Sequence, residues 1–188
     1  MKLNNGNTYR VINMKDNLYI YRCFFEEEKY IQLTVKQKYI LTLIYALTDE
    51  DDYFIMKQVE LAQLLGLDKQ NVNATVSRLV KDELITRDNK GIKANRPLNR
   101  KSIPLHKDLV FGKYKGLSKG AKLYFSYFRS LQVKQNSSYL LIKGVDILNY
   151  MGVGIKSIQV YNKELEAVGL LKKGRKGNMN TLNFQDIR

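Results

Sequence analysis

Residues 8–25, TYRVINMKDNLYIYRCFF, place β-branched and aromatic residues in near alternation with polar ones, broken at Lys15-Asp16-Asn17. Alternation turns one face inward, so the stretch predicts an N-terminal β-hairpin with a polar turn, Cys23 being a buried apolar residue of its second strand. Glu26-Glu27-Glu28 then read as a solvated stop. From Thr34 the period lengthens. Thr34 is placed as an N-cap, and Ile40, Leu43, Ile44 and Leu47 recur at helical spacing. Asp49-Glu50-Asp51-Asp52 end that helix in a solvated loop, with no calcium-loop spacing behind it. A second helix over Met56–Leu65 has Val59, Ala62 and Leu65, or alternatively Leu61 and Leu64, as its apolar face. Gly66 supplies a tight turn. Asp68 caps a third helix with Val72, Val76, Leu79 and Val80 inward. Leu84–Arg87 reads as a strand and Asp88–Gly91 as its turn.

The chain holds 2 prolines, Pro97 and Pro104, within ANRPLNRKSIP, which marks an inter-domain connection. After it the order recurs. Ser118 caps a helix with Leu123, Tyr124 or Phe125, Tyr127, Phe128 and Leu131 as core. Ile142–Met151 follows as a short helix, and Gly152-Val153-Gly154 as a turn. The next helix turns Ile158, Tyr161, Leu165 and Val168 inward. Leu170–Lys173 is a strand, Gly174–Asn178 a turn, and Met179–Phe184 the returning strand.

The recurrence is an internal repeat. Leu33-Thr34 matches Leu117-Ser118 and Lys38 matches Lys122 at an offset of 84. After the first interhelical loop the offset is 86, matching Gly66 with Gly152, Val72 with Ile158, Leu79 with Leu165, and Leu84-Ile85 with Leu170-Leu171. The expected fold is α+β, mainly α: two tandem winged helix-turn-helix domains, 1–95 and 96–188, with the N-terminal β-hairpin on the first. The stretches LAQLLGLDKQNVNATVSRLVKDELITR and ILNYMGVGIKSIQVYNKELEAVGLLKKGRKGN resemble winged helix-turn-helix domains. The segment from Ser102 to Leu131 is similar to the opening of winged helices in phage replisome organisers and Gram-positive plasmid replication initiators. MarR-like regulators share the helix pattern. Two positions depart from it. Asn162 stands where an apolar residue is usual, and Glu83 where Gly is usual, which implies a different end to the third helix of the first domain.

Charge adds a partner. The 188 residues carry 32 Lys/Arg and 18 Asp/Glu, a formal net charge of +14. Residues 1–94 hold 14 basic against 13 acidic side chains, and residues 95–188 hold 18 against 5. Basicity concentrated in one half points to a polyanion rather than to solubility alone. One Cys and one His exclude a disulfide framework and leave little for a zinc site or a catalytic triad. No cofactor, metal or catalytic residue is expected, and His106 reads as a surface residue. No export signal or bilayer-length apolar run is visible, so a cytoplasmic protein is expected.

The winged-helix resemblance implies that the helix after the tight turn enters the DNA major groove. Its outward residues in the first domain are Lys69, Gln70, Asn71, Asn73, Ser77 and Arg78. In the second they are Lys156, Ser157, Gln159 and Lys163, with Val160 able to touch a thymine methyl. Gln and Asn suit adenine; Lys and Arg suit guanine. Lys172, Lys173, Arg175 and Lys176 surround Gly174 and Gly177 on a wing suited to phosphate or minor-groove binding. Arg96, Arg100 and Lys101 of the connection read equally as a minor-groove arm or a solvated linker.

The leading expectation is a sequence-specific double-stranded DNA-binding protein of a plasmid, phage or other mobile element, acting in replication initiation or its control. The alternatives are a transcriptional regulator of the same type and a protein-interaction scaffold. Double-stranded DNA is the expected partner, with a homodimer or replication proteins as further ones and no membrane. An enzyme is disfavoured: a metal-dependent nuclease needs convergent carboxylates or histidines, and no phosphate-binding GxxxxGK[ST] occurs.

Overall fold

The computed structural model describes residues 17–98 and 101–187. They divide into two compact units: residues 40–98, and residues 17–39 together with 101–187. Residues 17–39, read from sequence as part of the first domain, thus lie with the second unit. The reason is strand pairing. β1 (Asn17–Tyr21) runs antiparallel to β4 (Ser102–His106), with Asn17 opposite His106 and Tyr21 opposite Ser102. The first strand of the expected hairpin lies outside the described residues; its second strand has β4 as a neighbour. Pro104 is in β4 rather than in a linker. It is exposed on the strand, with Ile103 and Leu105 buried on either side, a placement open to a residue without an N–H only at an edge.

In the first unit, helix α3 (Val35–Ala46) is followed by α4 (Gln58–Leu65), α5 (Lys69–Lys81), and the hairpin β2 (Ile85–Arg87) and β3 (Ile92–Ala94). The initial residues of α3, 35–39, belong to the other unit. Thr34 caps α3 reciprocally: Gln37 N donates to Thr34 Oγ1 (3.2 Å) and Thr34 N to Gln37 Oε1 (2.8 Å). The segment before α4 joins the hairpin as a rudimentary third strand, since Phe54 N donates to Ile92 O and Ala94 N to Asp52 O. The Tyr45 hydroxyl, 2.6 Å from Leu84 O and 2.7 Å from Asn95 O, ties both ends of the hairpin to α3. Leu61, Ala62, Val72, Val76 and Leu79 close the core, whereas Val59 is exposed.

The second unit opens with β1 and two short helices, α1 (Cys23–Glu26) and α2 (Glu28–Ile31). Cys23 therefore starts a helix, not a strand residue, although it is buried as expected, and burial pushes its thiol up to about 12. After β4 come α6 (Lys107–Val110), α7 (Lys119–Lys134), β5 (Leu140–Ile142), α8 (Gly144–Met151), α9 (Ile155–Ala167), β6 (Leu171–Lys176) and β7 (Met179–Phe184). The sheet order is β5-β7-β6. Ile142 ends β5, so the helix expected from it begins at Gly144. Helix α7 is buried from Gly120 to Phe128. Its aromatics build the core: Tyr127 stacks on Phe25 at 4.3 Å, and Tyr124 meets Phe184 edge-on at 5.8 Å. Gln132, not Leu131, is buried at its end; its Oε1 accepts from Phe184 N (2.8 Å) and its Nε2 donates to Ser138 O (3.1 Å). A Cβ on Gly120 would lie 2.1 Å from Tyr161 Cζ, so only glycine admits α9 this close to α7.

The two units share a local design. Helices α4 and α8 are each 8 residues, α5 and α9 each 13. Gly66 (φ +60°) and Gly152 (φ +64°) end the first of each pair in the left-handed region. Past the second helix, Glu83 has φ +55° and Gly169 φ +74°. The different helix end implied by Glu83 is thus absent. A non-glycine residue adopts the same turn, at a steric cost of about 1–2 kcal/mol.

Two lysines are buried in the second unit, Lys38 and Lys122. Lys122 Nζ donates to Lys115 O (2.7 Å) and lies over the Tyr39 ring. Lys38 Nζ lies over the Phe25 ring. Desolvation lowers both ammonium groups to about 8, with Lys119 adding repulsion at Lys122.

Candidate nucleic-acid interface

The division by units sharpens the charge asymmetry. Described residues 40–98 hold 8 Lys/Arg and 9 Asp/Glu, a net of −1; described residues 17–39 and 101–187 hold 19 and 8, a net of +11. Charge of one sign on one body is the footprint of a polyanion site.

In α9 the buried residues Ile158, Tyr161, Asn162 and Leu165 define the inward face. Helical geometry then directs Lys156, Gln159 and Lys163 outward, and all three are exposed. Ser157 is half-buried and bonds the Tyr161 hydroxyl, so it does not share that face. Val168, expected inward, is exposed, because the helix has already ended at Ala167. The N-cap of α9 is Gly154, without a side-chain cap, and no acidic residue lies in the first turn.

The hairpin β6–β7 is longer than the sequence suggests. Its strands continue to Lys176 and Met179, leaving Gly177-Asn178 as a two-residue turn with Gly177 at φ +60°. Strand alternation places Lys172 and Lys176 on one face, and Lys173 and Arg175 on the other. Lys173 Nζ is 3.8 Å from Glu166 Oε2 on α9, which partly neutralises it. Lys172, Arg175 and Lys176 are exposed.

The outward residues of α5 are more occupied. Asn71 Nδ2 donates to Asp68, whose Oδ1 also accepts from Asn71 N (2.7 Å), capping the helix and holding the carboxyl below its usual range. Arg78 pairs with Asp82 at 3.0 Å. Asn73 is half-buried, its Oδ1 enclosed without a hydrogen-bond partner. Lys69, Gln70 and Ser77 are exposed. Arg96 of the connection is held by Asp52 and Thr48 and so serves the first unit's own structure. Arg100 lies outside the described residues.

Sequence reasoning passed over Arg87, Lys90 and Lys93 on the β2–β3 hairpin. All three are exposed, and Lys90 and Lys93 lie 5.8 Å and 5.3 Å from the Tyr53 ring, whose hydroxyl donates to Asp88 (2.6 Å). The repeat held the signal: an offset of 86 carries Arg87 onto Lys173 and Lys90 onto Lys176.

Among the described residues, no group of 3 or more His, Cys, Asp and Glu side chains is placed to hold a metal ion, and no helix is long and apolar enough to cross a membrane. His106 is half-buried and caps α6, its Nδ1 accepting from Asp108 N (3.2 Å). No curated protein and no solved structure matches the chain. Residues 31–91, which contain α3, α4, α5, β2 and the turn after it, match the MarR family, and this stretch is a winged-helix domain of that DNA-binding type.

Proposed function

We propose that the chain is a sequence-specific double-stranded DNA-binding protein that acts in transcriptional control, with a second winged helix over residues 107–187. The MarR match over residues 31–91 carries the reading. The second unit supports it with the order α7, β5, α8, α9, β6, β7, the sheet order β5-β7-β6, and the offset of 86 between equivalent helices. In this reading α9 enters the major groove, and the β6–β7 hairpin reaches the adjacent backbone or minor groove. Because the hairpin has cations on both faces, one face addresses each strand. The first unit supplies base contacts through Lys69, Gln70 and Ser77, and backbone contacts through Arg87, Lys90 and Lys93. Lys156, Gln159, Lys163, Lys172, Arg175 and Lys176 form the stronger surface. The MarR match favours transcriptional control over replication initiation.

Footprinting on DNA flanking the protein's own gene tests this. Protection of a site overlapping a promoter is the expected result. Protection of an array of iterated repeats instead assigns the chain to replication initiation. Failure to shift any duplex at low salt refutes DNA binding and leaves a protein-interaction scaffold.

A further inference from the structure

The outward face of α9 has a feature that attraction to phosphate does not require. With Ile158, Tyr161, Asn162 and Leu165 buried, the opposite stripe runs through Lys156, Val160 and Lys163, at i, i+4 and i+7. Val160, at its centre, is 50% exposed; Ile155, off this stripe at the N-terminal end of the helix, is 55% exposed because the helix begins there. Both are β-branched, which restricts χ1 and disfavours a helix, and neither recovers that cost by burial. The fold does not demand them, since the equivalent positions of α5 are Lys69 and Ala74.

What covers these two side chains must also suit the charge around them. Lys156 and Lys163 flank Val160, and Lys172, Arg175 and Lys176 lie on the same +11 unit. An apolar protein surface has no use for that field. A DNA duplex does, and its major groove offers one apolar group on the base edges, the thymine C5 methyl.

We propose that Val160, with Ile155 in the first turn, selects thymine in the major groove by covering C5 methyl groups, while Lys156 and Lys163 hold the flanking phosphates. The inference rests on the duplex-DNA reading above and adds a base preference to it. Val160 and Ile155 act as specificity-determining residues.

Replacing thymine by uracil removes only the methyl group and leaves base pairing and phosphate charge in place. The full chain first selects duplexes from a random-sequence pool. Affinity is then measured for the selected duplex made with thymine and for the same duplex made with uracil. The wild type is expected to lose about fourfold in affinity per contacted methyl, the effect of exposing one methyl-sized group. The variant combining Ile155→Ala with Val160→Ala is expected to bind both duplexes equally. Alanine is the better helix former, so the variant keeps α9, and circular dichroism checks this. Equal wild-type affinity for both duplexes overturns the inference and leaves the duplex reading standing. A variant as sensitive to uracil as the wild type overturns the assignment to these residues. No binding to any duplex overturns the reading on which the inference rests.

Discussion

Removing the three exposed wing cations, with Lys172, Arg175 and Lys176 all changed to Gln, separates electrostatic binding from base readout. Each cation that neutralises a phosphate releases counterions and contributes about 0.9 to the slope of log affinity against log salt. Lys173 is left out of the sum because Glu166 stands 3.8 Å from it. Three contacts therefore account for a slope of about 2.7. Over a fourfold rise in salt, from about 50 to 200 mM, the wild type is expected to lose roughly 40-fold more affinity than the triple variant. The fold is not at risk: the replaced side chains are exposed, and the hairpin ladder from Leu171 to Lys176 is made by the backbone. Fluorescence anisotropy with a labelled random-sequence duplex across a salt series reads the slope directly. Lys173→Gln alone is the control and is expected to change the slope by less than any single member of the trio. An unchanged slope in the triple variant, or a larger effect from Lys173→Gln than from Lys176→Gln, refutes the placement of the wing on the backbone.

Other expected outcomes concern stability. Holding Lys38 at about 8 rather than 10.5 corresponds to roughly 3 kcal/mol against the folded state near neutral pH, so Lys38→Met raises the melting temperature; an unchanged or lower value contradicts the desolvation. With the folded-state values of Lys38 and Lys122 lowered, the unfolded chain binds more protons between about pH 8 and 10.5, and stability rises with pH there. Cys23, raised to about 12, cancels one of these two protons above its ordinary value of 9, and Tyr30, Tyr39, Tyr124 and Tyr127, all raised by burial, cancel the rest as pH nears 10, so a thermal-melt series should rise from about pH 8 and flatten between about 9 and 10. Glu83→Gly relieves a left-handed residue at φ +55° and is expected to add about 0.5–1 kcal/mol in denaturant titration. Gly120→Ala is expected to cost about 2–3 kcal/mol by overpacking, since the new Cβ meets Tyr161; pairing it with Tyr161→Leu should recover part of the loss.

The helical periodicity of Ile40 to Leu47 and of Val72 to Leu79 made most helices legible, because burial of one stripe leaves a period in the sequence. The repeat was legible for a related reason: Gly66 and Gly152 meet the same backbone demand. Pairing of distant strands was not legible. Nothing local in NLYIY names Ser102–His106 as its partner, so the sequence groups residues 17–39 with the first domain, whereas they cluster with the second unit. Within the site, outward direction could be read from spacing but engagement could not. Asn71, Arg78 and Lys173 carry the right chemistry for DNA, yet Asp68, Asp82 and Glu166 stand beside them. Glu83 shows the converse, where context holds an unfavoured residue in a turn that propensity assigns to glycine.

The separation of −1 from +11 has a kinetic consequence. A strongly cationic body dwells on any sequence, whereas a near-neutral one must be retained by specific contacts. In the proposed reading the two are joined in one chain, so binding by the cationic body keeps the near-neutral one from diffusing away. In the proposed DNA reading, searching and verifying are then divided: residence time on random DNA is set by the basic body, and commitment to a site by whether the neutral body finds its match before the basic one lets go.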